Sequence, residues 1–175
     1  MRTIEVKLYQ FSELSNEAKE NAIRSNYNIN VNSDWWEGTY YDAANIGLKL
    51  KSFDLDRNRH ATGEFMQDAD YCARKIIAEH GEHCDTYKLA KNYFSEYNHL
   101  VKKYSDGIQT DKVAEDNEYE FDQEANELES EFLKDLLSEY ASILQNECEY
   151  LQSDEAIIEA IEANEYEFME DGELY

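Results

Sequence analysis

Proline is absent from all 175 residues, and glycine occurs only six times. Without proline there is no rigid spacer, and scattered glycines make no Gly/Ser-rich linker, so composition marks no boundary between domains. One α+β domain over residues 1–175, large enough for its own core, is the expectation at this length. Cysteine is scarce as well: Cys72, Cys84 and Cys148 are an odd number, which suits reduced thiols better than a closed disulfide framework. The opening MRTIEVKLYQF alternates polar and apolar residues where a secretory leader would have an apolar block. Both features point to the cytoplasm. No apolar run approaches the roughly 18 residues of a membrane helix.

Cations are missing from one part of the chain. Residues 1–110 hold 17 acids and 14 bases, whereas residues 111–175 hold 23 acids and two bases, so nearly all of the net charge of −24 is C-terminal. Such a surface repels free nucleic acid and anionic membrane. The weakest join is DGIQTDKVAEDNE, residues 106–118, where Gly107 and polar residues interrupt a helical pattern. The sequence contains no GxGxxG, P-loop, GxSxG or HExxH motif, so no standard cofactor is indicated.

What is present reads as several helices and a few short strands. Thr3 to Tyr9 alternates as a half-buried strand does, with Ile4, Val6 and Leu8 on one face. A helix capped by Ser15 follows, with Leu14, Ala18, Ala22 and Ile23 as its apolar stripe. A second helix over 33–47 would start at Ser33 or Asp34 and close at Gly47 in the left-handed region. GLKLKSFDLDR and RHATGEF flank Asn58 as two antiparallel strands. Asp68 caps a helix that stops at Gly81, and a further helix runs from about Asp85 to Tyr104. The longest periodic segment, about Tyr119 to Leu151, predicts one long acidic amphipathic helix. Ser153 caps the next helix, and NEYEFMEDGELY closes as a hairpin turning at Asp171-Gly172. Helices and strands that do not strictly alternate predict an α+β fold with a small antiparallel sheet.

The stretches YQFSELSNEAKENAI, DWW, GLKLKSFDLDR, HGEHCDTYKLAK and ANEYEFMEDGELY together resemble an uncharacterised family of small acidic proteins from phages, prophages and bacteria. That resemblance brings no activity and no catalytic residue. It implies a phage or mobile-element setting, hence the host cytoplasm, and action on host machinery.

Four groups of residues are candidates for chemistry or binding. In FDLDRNRHATGEF, Asp54 and Asp56 would share a strand face and, with Glu64 opposite and His60 nearby, offer oxygen ligands to Mg²⁺ or Mn²⁺ in a metal-dependent enzyme. The plainer reading is an ion-paired strand face in which Arg57 and Arg59 neutralise the aspartates. Cys72, His80, His83 and Cys84 contain the ligand types of a zinc site, though at no standard spacing, and Cys84 beside either histidine is a candidate nucleophile. Against this, Cys72 suits a core and His80 a helix end. Trp35 and Trp36, with Tyr40 and Tyr41 nearby, either form an aromatic contact patch or pack into two faces of the core.

The fourth group is the acidic half. Glu124, Glu127, Glu131 and Asp135 fall three or four residues apart and predict a single stripe within an acidic run from Asp116 to Glu139. One helix alone carries about one acid per 4 Å, against one charge per about 1.7 Å of duplex DNA, so imitation of DNA needs acidic elements side by side. The expected function is binding, without catalysis or cofactor: inhibition of a basic host protein such as a nuclease, restriction factor or CRISPR-type effector. Three alternatives stand beside it: the metal-dependent enzyme of Asp54, Asp56 and Glu64, a charge that serves solubility alone, and a structural module whose hairpins mediate self-association.

Overall fold

A computed structural model of the chain describes residues 5–105 and 111–175, with backbone alone over 111–117. It is an α+β protein in which helices dominate and two small antiparallel sheets contribute the strands. The chain groups into two compact units, Met1–Trp35 with Gln145–Tyr175, and Trp36–Leu144. Among the described residues no helix is long and apolar enough to cross a membrane.

In the first unit, β1 (Tyr9–Gln10) pairs antiparallel with β4 (Glu167–Phe168). The expected strand from Thr3 is therefore corrected in its described part: Glu5 to Leu8 lie outside any strand. Alternation specifies a face but not a partner, and β4 is only two residues long, which leaves Val6 half in solvent. Residues 3 and 4 lie outside the described residues. Helix α1 (Asn16–Ser25) starts where its sequence says, with the Ser15 hydroxyl accepting from the Ala18 N–H at 3.2 Å. Ser153 caps α6 (Asp154–Ala163) in the same way through the Ala156 N–H. Phe11, Leu14, Ala18, Ala22, Ile157, Ile161 and Phe168 form this unit's core. The expected C-terminal hairpin forms as a short one, with a single antiparallel bridge from Phe168 to Leu174. In it the Met169 N–H donates to the Glu173 carbonyl at 2.9 Å and the Tyr175 N–H to the Glu167 carbonyl at 3.0 Å. Gly172 closes that turn at φ +87° with its Cα against the Ala18 carbonyl, a place where no side chain fits.

The second unit builds on a hairpin of β2 (Leu48–Asp54) and β3 (His60–Phe65), bulged between Leu50 and Ser52. It packs with α2 (Glu37–Asn45), α3 (Ala69–Glu79), α4 (Asp85–Ser105) and the Trp36–Leu144 part of α5 (Asp111–Leu151). Neither Ser33 nor Asp34 caps α2. Residues 33–36 are consumed by a tight turn, in which the Trp35 N–H donates to the Ser33 carbonyl at 2.8 Å. Gly47 does close α2, at φ +82°. Asp68 caps α3 through the Tyr71 N–H at 2.7 Å, but the helix ends at Glu79, before Gly81, because His80 turns to an extended conformation. Cys72, Ala73, Ile76, Phe132, Leu136 and Tyr140 lie at the centre of this core. Gly63 lets β3 lie close to β2 and to α5, since a Cβ there would stand 2.6 Å from the Lys49 carbonyl oxygen of β2 and 2.9 Å from a Leu137 methyl of α5. The join at Gly107 lies outside the described residues, and the helix resumes at Asp111.

Candidate functional site

The hairpin does not assemble its acids into a ligand set. Strand β2 ends at Asp54, and the Asp54 carboxylate folds back to accept the Asp56 N–H at 2.9 Å, an Asx turn that takes Asp56 out of the strand face. Glu64 is placed opposite Lys49, whereas Asp54 is opposite His60. Five strand residues, about 16 Å, separate those two rungs. Glu64 is instead held by Lys51 at 2.5 Å, with Lys49 at 3.8 Å. The bond from Lys51 keeps its carboxyl below the usual range. The cations that neutralise this face are thus lysines, not Arg57 and Arg59. Among the described residues no three His, Cys, Asp or Glu side chains are grouped as metal ligands would be.

The cysteine and histidine set is likewise dispersed. Cys72 is fully buried among apolar side chains, and burial pushes its thiol up to about 12, so it is a protonated core residue. His83 and Cys84 are exposed, while His80 faces inward. His80 Nδ1 is bonded to the buried Thr86 hydroxyl at 2.7 Å, and its Nε2 lies 3.8 Å from Asp42. The other Asp42 oxygen accepts from the Tyr140 hydroxyl at 2.7 Å. Hydroxyl, imidazole and carboxylate in that order have the elements of a nucleophile triad, but Thr86 is closed to substrate and the imidazole stands outside hydrogen-bond reach of Asp42. The network is a strut joining α2, the end of α3, α4 and α5. Reading the sequence missed Asp42, Thr86 and Tyr140, since nothing local links residues so far apart.

Trp35 and Trp36 are both half-buried. Trp36 stands edge-on to Phe53 at 5.6 Å, with Tyr40 on the same ring at 6.2 Å, so two of the four aromatics serve the second unit's packing. Tyr41 is the one that projects, at 71% exposure.

The acidic stripe is divided by the structure. Glu124 is already satisfied, receiving Lys103 at 2.6 and 2.8 Å and the Tyr104 hydroxyl at 2.8 Å, bonds that lower its pKa. It ties α5 to the end of α4. Glu127, Glu131 and Asp135 are exposed on α5, and Glu131 and Asp135 line a narrow cleft beside Glu96 of α4, over the stacked rings of Tyr93 and Phe132. The resulting surface draws acids from two neighbouring helices. Glu96 escaped the sequence reading because it belongs to the chain's charge-balanced half. Asp116, at the start of the expected acidic run, is among the side chains outside the described residues.

Elsewhere on α5, Glu129 and Glu139 are partly buried, and burial raises both carboxyls. In the first unit, Glu17, Glu20, Glu170 and Asp171 line one groove with Arg24, where Asn21 donates to the Asp171 carbonyl at 2.9 Å. Of the 20 acids whose side chains are described in residues 118–175, 16 are exposed, against Lys134 as the one described lysine of that segment. No family model, no curated protein and no solved structure matches this chain.

Proposed function

We propose that the protein is an acidic interaction protein that occupies the basic, nucleic-acid-binding surface of another protein and inhibits it. The observation that carries this reading is the pairing of acids across two helices, Glu131 and Asp135 of α5 with Glu96 of α4, with the exposed Glu127 one turn earlier on α5. At about 1.5 Å per residue, four carboxylates over that length give about one charge per 3 to 4 Å, which matches the roughly 3.4 Å axial spacing of phosphates along one DNA strand and is half the density of the duplex. A solubilising surface has no need of such alignment. The partner class is a basic host protein that handles nucleic acid: a nuclease, restriction factor or CRISPR-type effector in the phage setting that the resemblance implies. Glu124 takes no part in the contact, because Lys103 and Tyr104 already hold it.

The test is affinity capture from a bacterial host lysate at low salt, with elution between about 0.1 and 0.5 M salt, where screening weakens exposed charge contacts. A nucleic-acid-handling protein retained by the wild type, displaced by duplex DNA and lost with E127K/E131K/D135K, is the expected result. Retention that is indifferent to DNA and salt, or equal in the triple variant, overturns the reading.

A further inference from the structure

Most described cations of the Trp36–Leu144 unit are engaged. Lys49 and Lys51 hold Glu64, Arg74 holds Asp70, Lys75 holds Glu79, Lys88 holds Asp85 and Lys103 holds Glu124. Lys91 lies over the Tyr87 ring. Arg57, Arg59, Lys102 and Lys134 have no such ion pair among the described residues, and of these Arg59 and Lys134 line one groove of about 360 Å³ where the start of β3 meets α5. His60 joins them at the rim, and Ala61, Leu133 and Leu137 supply apolar walls. In a chain of net charge −24, two uncommitted cations and an imidazole around an apolar floor form a local reversal of sign.

The groove is set in place by its frame. Gly63 of β3 lies close against α5, where a Cβ would stand 2.9 Å from a Leu137 methyl. His60 Nδ1 is 2.7 Å from the Asn58 carbonyl oxygen, so that nitrogen carries its hydrogen inward to the turn and Nε2 remains as the ring's other polar atom. Asp54, across the ladder from His60, turns one carboxylate oxygen back to the Asp56 N–H. Glu139 feels the Arg59 charge without forming an ion pair, and burial raises its carboxyl.

We propose that this groove binds a small phosphomonoester with an apolar or aromatic body, its phosphate between Arg59 and Lys134 and its body on Leu133 and Leu137. Arginine, lysine and a ring nitrogen together suit a dianionic head better than a carboxylate, because guanidinium and ammonium supply several charge-assisted bonds to phosphate oxygens. The volume lies within the range of small-ligand sites. The site is separate from the acidic surface and independent of the partner proposed above.

Methyl chemical shifts of Ala61, Leu133 and Leu137 in the full chain, titrated with phenyl phosphate, test the assignment. The expected result is a saturable shift that weakens about tenfold or more in R59S/K134S, and stays unchanged in K91S/K102S, which removes the same charge elsewhere in the unit. Inorganic phosphate and benzyl alcohol, head and body alone, should each bind at least about tenfold more weakly. No saturable shift up to about 10 mM overturns the proposal, as do equal losses in both double variants or benzyl alcohol binding as tightly as phenyl phosphate. Benzoate matching phenyl phosphate overturns the dianionic head.

Discussion

The two compact units carry the same net charge by different means. Met1–Trp35 with Gln145–Tyr175 has 16 acids and four bases, while Trp36–Leu144 has 24 acids and 12 bases, so each is −12, over 66 and 109 residues respectively. The larger unit commits cations to carboxylates, at Glu64, Asp70, Glu79, Asp85 and Glu124. In the smaller unit Lys7 and Lys19 lie instead over the rings of Tyr9 and Phe11, at 4.8 and 5.7 Å. Net charge is therefore a poor guide to where a basic partner or an anionic ligand meets this surface. Placement of the cations decides it: they remove Glu124 from the stripe and leave Arg59 and Lys134 for an anion.

The comparison is broken most severely by unfolding one unit through its backbone. Gly172→Ala puts a methyl into the Ala18 carbonyl at a positive φ, and a loss of about 3 kcal/mol or more is expected in urea denaturation. Hydrogen exchange separates the units: α6 amides should lose protection by that full amount while β2 and β3 amides keep theirs. Equal loss in both would mean that the two units unfold together. A smaller effect falls on the other side with Tyr140→Phe, which removes the bond to Asp42 but leaves the ring in the core. About 1 to 2 kcal/mol is expected, confined to amides of Trp36–Leu144.

Local chemistry was the legible part of this sequence. Ser15, Asp68 and Ser153 cap the helices that their positions announce, and the β2–β3 hairpin follows from two alternating runs that are neighbours in the chain. Where the partner is remote, the same rules fall short. Thr3 to Tyr9 alternates like a strand, yet its partner at Glu167–Phe168 is two residues long and far along the sequence. The Asp54 and Asp56 pair dissolves because an aspartate at a strand end prefers its own backbone, which a period of two does not foresee. Glu124 looked free because Lys103 lies across the join between two helices. The strut of Asp42, His80, Thr86 and Tyr140 draws on four helices and has no local signature.

Proton binding gives the finest test of how the larger unit treats its acids, since it holds carboxyls displaced in opposite directions. Glu124, with its pKa lowered by Lys103 and Tyr104, stabilises the fold above the ordinary carboxylate range, and that contribution is lost as pH falls through the lowered value. Glu129 is the reverse case, because burial first and the Asp68 charge second raise its pKa. Between the ordinary and the raised value the folded chain holds a proton that the unfolded chain has released, so stability declines as pH rises through that window. Above the window the penalty is complete. Glu129→Gln should therefore stabilise the protein at pH 7 by under about 1 kcal/mol after screening by solvent, with the gain fading as pH falls from the raised value to the ordinary carboxylate range and absent below it. Chemical denaturation of wild type and variant at pH 7 and near pH 4 reads the difference, and a gain that is independent of pH would assign the effect to packing.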